Sequence, residues 1–176
     1  MNLIHAEELS ADGITLEPLR IDHADEMVGV LADESIYAFT GGAPPSLATL
    51  RARYQAQCEG QSPDGGQAWL NWIIRLTETA QAAGYVQATV TDDEDGRGVA
   101  EIAWVVGPPF QGRRLATTAT AAMCRFLAEH GVDELRAHVH PDHAASHGVA
   151  RAAGLHLTDV VVDGEVRWVA AVTATA

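Results

Sequence analysis

Residues 101–118 read Glu-Ile-Ala-Trp-Val-Val-Gly-Pro-Pro-Phe-Gln-Gly-Arg-Arg-Leu-Ala-Thr-Thr. A β-prone run, Val99 to Val106, stops at Pro108 and Pro109, which cannot donate to a sheet ladder. A short Gly and Arg loop then feeds into a helical pattern from Leu115 to His130, with Gly131 placed to end it. The first amides of a helix have no partner inside it, and together with the helix dipole they attract an anion. Arg113 and Arg114 add two charges at that point, in a chain that is acidic elsewhere. A diphosphate suits such a place. The plain alternative is a strand-to-helix turn with two solvated arginines.

Working outward from this loop gives the rest of the order. On the N-terminal side, a strand is expected from Ile14 to Leu19, followed by a helix capped by Asp22 with Met27, Val28, Leu31 and Ala32 on one face. The loop 41–46 precedes a helix from Leu47 to Cys58 capped by Ser46, and the stretch 61–66, Gln-Ser-Pro-Asp-Gly-Gly, breaks it. Strands follow at Trp69–Leu76, Gly84–Thr91 and Val99–Val106, the last two joined by an acidic turn at 92–98. On the C-terminal side come a strand at Leu135–His140 and a short helix capped by Asp142 and running to Ala153. The runs Leu155–Val162 and Glu165–Val172 form a hairpin across Asp163-Gly164. This is an α+β layout around a mixed, mostly antiparallel sheet flanked by helices.

Length and composition agree. A chain of 176 residues, 47% hydrophobic, suits one domain over 1–176, with 1–12 as an N-terminal arm. Its 24 acidic and 11 basic residues, all arginine, give a net charge of −13, which argues against nucleic acid or an anionic membrane as partner. No stretch is apolar enough to span a bilayer, and the start has no signal pattern. Cys58 and Cys124 lie far apart without metal-type spacing, which suits a reduced, cytoplasmic setting.

The loop and the element order resemble the GNAT superfamily of acyl-CoA-dependent N-acetyltransferases, and most closely its ribosomal-protein N-terminal acetyltransferase branch. That family's pyrophosphate loop reads Gln/Arg-x-x-Gly-x-Gly/Ala. Gln111-Gly112-Arg113-Arg114-Leu115-Ala116 matches its first and last positions, with Arg114 in place of the central glycine. The branch also carries Pro-x-Asn-x-x-Ser before a helix ending in Gly-Phe. Here Pro141-Asp142-His143-Ala144-Ala145-Ser146 keeps the proline and serine, His143 replaces the asparagine, and Gly154-Leu155 closes the helix. Where many members place a tyrosine as general acid, this chain has Ala150. The run Ala100-Glu101-Ile102-Ala103-Trp104 is similar to the strand whose glutamate is the general base of histone acetyltransferases.

The resemblance spans about residues 13–172 and implies a fold and a set of roles. Acetyl-CoA would be the co-substrate, held by the backbone of Trp104, Val105 and Val106 and by Gln111, Gly112, Arg113, Arg114, Leu115, Ala116 and Thr117, with His143 nearby. Glu101 would take a proton from the amine, which is charged at neutral pH and must lose it before attack. Ser146 would support the leaving thiolate. A solvated strand-end carboxylate is the plain reading of Glu101. Binding of acyl-CoA without turnover is the competing function, and homodimer formation stays open. Net charge predicts a small or flexible acceptor amine that is cationic in bulk solution.

A second motif points elsewhere. His138-x-His140-x-Asp142-His143 spells a zinc motif of metallo-β-lactamase-like hydrolases, and His147 and His156 lie close by. Only 33 residues follow His143, too few for the second half such hydrolases need, so these histidines are expected to line the cleft or its rim, with no metal. Trp69, Trp72, Trp104 and Trp168 are expected in the core or cleft wall, and Cys124 in packing. The 92–95 turn lacks the twelve-residue pattern of a calcium loop.

Overall fold

The computed structural model describes residues 4–172. Its sheet has the order β1-β2-β3-β4-β5-β6-β8-β7. The strands are β1 (Leu9–Ala11), β2 (Ile14–Pro18), β3 (Ala68–Leu76), β4 (Ala82–Asp92), β5 (Gly98–Val106), β6 (Val132–Val139), β7 (His156–Val162) and β8 (Glu165–Ala171). Every neighbouring pair is antiparallel except β5–β6. The helices are α1 (Ala24–Val30), α2 (Leu47–Gln57), α3 (Leu115–Glu129) and α4 (Ala144–Ala152). The expected mixed, mostly antiparallel sheet with flanking helices is what forms.

Alternation along the strands splits the apolar residues between two layers. On one face Leu70, Trp72, Val86, Ala88, Ala100, Ile102, Leu135, Ala137 and Trp168 form a core with Ala119, Met123 and Leu127 of α3 and Ala150 of α4. Full burial of a Leu or Ile contributes about 1.5–3 kcal/mol, and this layer holds the larger share of the buried apolar residues. On the other face Ile73 and Ala82 pack with Met27 and Leu31 of the α1 segment and with Leu50 and Tyr54, one turn apart on α2. Those two helices cover β3 and β4 and leave the β5–β6–β8 side of that face more open. Glu101 and Arg136 are half-buried there, while their neighbours Ala100 and Leu135 are fully buried.

The β5–β6 ladder is short. Its register runs from Gly98↔Val132 to Glu101↔Arg136 and goes no further, so Ile102–Val106 and Ala137–Val139 diverge. The opposite edge of β5 stays paired with β4 throughout. Gly84 permits that pairing: an added Cβ would collide with the Val105 carbonyl oxygen and lie 2.9 Å from the Val106 Cα.

Several boundaries differ from the sequence reading. Leu9–Ala11, expected within an arm, form β1, because the Asp12-Gly13 turn folds the chain back and pairs Ala11 with Ile14. Residues 1–3 of that arm lie outside the described residues. Asp22 does not cap α1: it sits in a 3-10 turn, Ile21–His23, and bonds the Arg20 guanidinium, while the Arg20 amide donates to His23 Nδ1 (3.1 Å). Asp142 does not cap α4 either, since His143 holds that position and makes no side-chain cap bond. Ser46 does cap α2, accepting from the Thr49 amide. The Asp93 carboxylate organises the acidic turn by accepting from the Asp95 and Arg97 amides and from the Arg97 guanidinium.

Candidate active site

The loop after β5 makes a three-residue 3-10 turn at Pro108–Phe110 and then turns into α3. Gly112 has φ 75°, and Arg114 sits immediately before the helix at φ 61°, ψ 13°. This is the left-handed region, which a glycine occupies without strain and an arginine occupies at a cost of about 1–2 kcal/mol. The consequence is a row of free donors. The first amide to bond backwards is Thr118, to the Arg114 carbonyl (2.9 Å), and the amides of residues 112–117 donate to nothing among the described residues. Gln111, Gly112, Arg113 and Arg114 are exposed, Ala116 and Thr117 half-buried, and Leu115 anchors the turn in the core. The Gln111 side chain turns the other way, donating to the Val106 carbonyl (2.9 Å), so it ties the loop to the end of β5.

Divergence of β5 from β6 leaves the β6-facing backbone of Trp104 and Val105 without a strand partner, beside that row of amides. Trp104 is half-buried against the α3-side core, and Val105 packs toward α1 and α2. The donors are preorganised for an anion, and the opened strand edge is suited to an extended amide-bearing chain. A CoA diphosphate with its pantetheine arm has that chemistry, so the residues present fit the acyl-CoA that the sequence resemblance implies.

On the opposite face the Glu101 carboxylate has a histidine partner. His138 Nδ1 lies 3.2 Å from Glu101 Oε2, and Arg167 Nε–H donates to His138 Nε2 (3.1 Å). Because Nε2 accepts, the neutral ring carries its proton on Nδ1 and donates it to Glu101. The three residues come from adjacent strands: Glu101 pairs with Arg136, two residues before His138, and His138 pairs with Arg167. The Glu101 side chain stays 41% exposed and His138 23%, so the carboxylate is held in place yet reachable. The sequence places His138 at the cleft or its rim and does not reveal this link. No local pattern shows it, since the parallel register of β5 and β6 is what puts the two side chains on the same face.

Ser146 lies in the first turn of α4, half-buried, and its hydroxyl bonds no protein group among the described residues. Ala150, one turn on, is fully buried, so that position supplies no proton donor. His143 stacks on Phe39 (ring centroids 4.4 Å apart), which also meets His140 (5.3 Å), so the β6–α4 loop touches the loop before α2. Burial, with His147 and His140 nearby, lowers the His143 pKa. The zinc-like spacing is dispersed: His138 turns to Glu101, His140 accepts from the Asp142 amide, and His147 bonds both Trp168 Nε1–H and the Pro141 carbonyl. Among the described residues no three His, Cys, Asp or Glu side chains are grouped to hold a metal. Burial pushes the Cys124 thiol up to about 12, which leaves it to packing.

The family model for the acetyltransferase (GNAT) domain matches residues 14–156. The chain belongs to that family. Its fold is shared with solved structures at low identity. A RimL ribosomal L7/L12 α-N-protein acetyltransferase in complex with coenzyme A superposes with a TM-score of 0.78 at 15% identity, covering 96% of this chain and 100% of that one. The microcin C7 self-immunity acetyltransferase MccE, with acetyl-CoA and AMP, gives 0.71 at 17% identity over 92% and 93%. The aminoglycoside acetyltransferase AAC(6')-Ib with coenzyme A gives 0.72 at 20% identity over 90% and 94%. No curated protein sequence matches the chain. No helix of this GNAT domain is long and apolar enough, among the described residues, to cross a membrane.

Proposed function

We propose that this GNAT domain, spanning 1–176, transfers an acetyl or other short acyl group from acyl-CoA to a primary amine by direct attack in a ternary complex. The observation that carries the reading is the row of undonated amides at 112–117 beside the opened edge of β5. These amides and the Arg113 and Arg114 charges take the diphosphate, and the Trp104–Val106 backbone takes the pantetheine amides. His143, at the family's asparagine position, borders the same cleft. Two free thiols, Cys58 and Cys124, fit a reduced, cytoplasmic setting.

The thioester supplies an activated carbonyl carbon. Glu101 removes a proton from the ammonium, directly or through water, and His138 keeps the carboxylate aimed while it does so. The freed nitrogen lone pair forms the new C–N bond as the C–S bond breaks. The nitrogen sheds its second proton as the adduct collapses, and the departing thiolate gains one, from water or from Ser146, whose hydroxyl recovers the nitrogen's proton through water. An acidic surface gathers a cationic amine and makes encounter weaker in salt.

One observation favours binding without turnover: Ala150 is buried where a tyrosine hydroxyl would serve. Thiol release from acetyl-CoA over a panel of amines decides between the two. Amine-dependent release supports the transferase, whereas tight CoA binding with no release on any amine supports the binding module.

A further inference from the structure

On the α1/α2 face a cavity of about 40 Å³ lies between α2 and strands β3 and β4. Its polar wall consists of Arg53, Tyr54, Gln57, Asn71, Tyr85 and Gln87. Gln57 and Asn71 bond each other (3.1 Å). The other four side chains have no hydrogen-bond partner among the described residues. The Tyr54 hydroxyl is the sharpest case, because the residue is only 4% exposed and an unpaired buried hydroxyl costs free energy. Arg53 is exposed at the rim, and no described carboxylate pairs with it. Its charge reaches the Tyr54 and Tyr85 hydroxyls, opposing the rise in their pKa that burial causes. Glu26, whose charge bears on Tyr54, is held by Arg75.

We infer that this cavity is an anchor for a carboxylate on the acceptor, so that the acceptor is a short zwitterion with its amine at Glu101. The inference deepens the acyltransferase reading and rests on it for the position of the amine. The wall is rich in donors, namely a guanidinium, two phenols and an amide, and lacks an anion. That set recognises a planar, charged acceptor group and rejects an ammonium. A volume of 40 Å³ takes a headgroup rather than a whole metabolite. The span is short: Gln87 pairs with Ala103, and Glu101 lies two residues along the same face of β5. Such diagonal neighbours are about 7–8 Å apart. The negative surface then draws the ammonium end while the cavity selects by the other end, a preference that net charge alone does not predict.

The test measures equilibrium binding, by ligand-observed NMR on the CoA-loaded protein, of ω-amino carboxylates with two to five methylenes. Alkylamines and α,ω-diamines of the same length serve as comparison. The best amino carboxylate is expected to bind about tenfold more tightly than its alkylamine, the scale of one charge-assisted hydrogen bond. Arg53→Ala erases that ratio, Arg53→Lys restores part of it, and Tyr54→Phe, which keeps the packing, lowers it severalfold. Equal affinities, a preference for the diamine, no carboxylate binding up to the solubility limit, or a ratio surviving in Arg53→Ala would overturn the inference. Acetyl-CoA calorimetry on the same variants should give an unchanged Kd. If the wild type fails to bind acetyl-CoA, the acyltransferase reading fails, and the carboxylate ratio, then read on the unloaded protein, is still decided by its own curves.

Discussion

Arg114 holds a backbone conformation that glycine would hold freely, and it does so at the mouth of the row of amides. Arg114→Gly should therefore raise stability by up to about 1 kcal/mol, read from the denaturation midpoint, because relief of strain outweighs the added unfolded-state entropy. The same variant keeps the amides but loses a charge, so acetyl-CoA binding should weaken by about tenfold or less, as in Arg113→Ala. Abolished binding in Arg114→Gly would mean that the loop alignment is wrong. Glu101→Gln should lower turnover about 10²–10⁴-fold with acetyl-CoA affinity unchanged. His138→Gln keeps one hydrogen bond and removes the ring, so its loss should be smaller and should appear in kcat rather than KM. Equal rates for the wild type and Glu101→Gln from pH 6 to 9 would return Glu101 to a structural role. Glu101 stands out in the sequence because it is the one charged residue in the hydrophobic run Val99–Val106. Its histidine partner does not, because His138 lies 37 positions away and only the parallel register joins them.

At the scale of elements, the cleft depends on β5 keeping one neighbour and leaving the other. Gly84 secures the first half of that statement, since any side chain there strikes the β5 backbone. Gly84→Ala should destabilise at the upper end of the roughly 1–3 kcal/mol usual for overpacking, and acetyl-CoA binding should fall with it. A variant as stable as wild type would show that β4 and β5 have slack. Most elements were legible from alternation and from caps such as Ser46, because those signals are local. Asp22 and Asp142 misled for a common reason. Each has the right side chain for a cap, but a neighbouring histidine enters the local hydrogen bonding: His23 accepts the Arg20 amide, and His140 accepts the Asp142 amide. β1 was missed because three residues carry too little periodicity to be seen without the partner strand β2. Why β5 and β6 part after Glu101 has no local signature, and neither does the cavity under α2, whose walls come from three separate elements.

Across the whole molecule, charge sets how stability and binding respond to solution conditions. His23 is buried with Nδ1 accepting the Arg20 amide and Nε2 facing Glu17 (3.2 Å), an arrangement that requires the neutral ring. Burial, and then Arg20, hold its pKa below the ordinary 6.5, and that of His143 is lowered too. Unfolding lets both rings take up protons, so stability is complete above about pH 6.5 and declines as pH falls below it. Carboxylates such as Glu26, held low by Arg75, titrate further down and leave the window from pH 6.5 to 5 to the histidines. The Tm should fall across that window, and His23→Gln should flatten the slope while lowering the Tm at pH 7.5. An unchanged slope would remove His23 from this role. In a protein of net charge −13, the proposed role of the loop at 111–117 is to bind the diphosphate of acyl-CoA. Calorimetric titration of acetyl-CoA into the wild-type protein at low and high salt decides whether it does. Saturable one-to-one binding that weakens as salt rises and is reduced in Arg113→Ala is the expected result; no binding at low salt, or binding indifferent to both salt and Arg113, would rule the loop out as the diphosphate site.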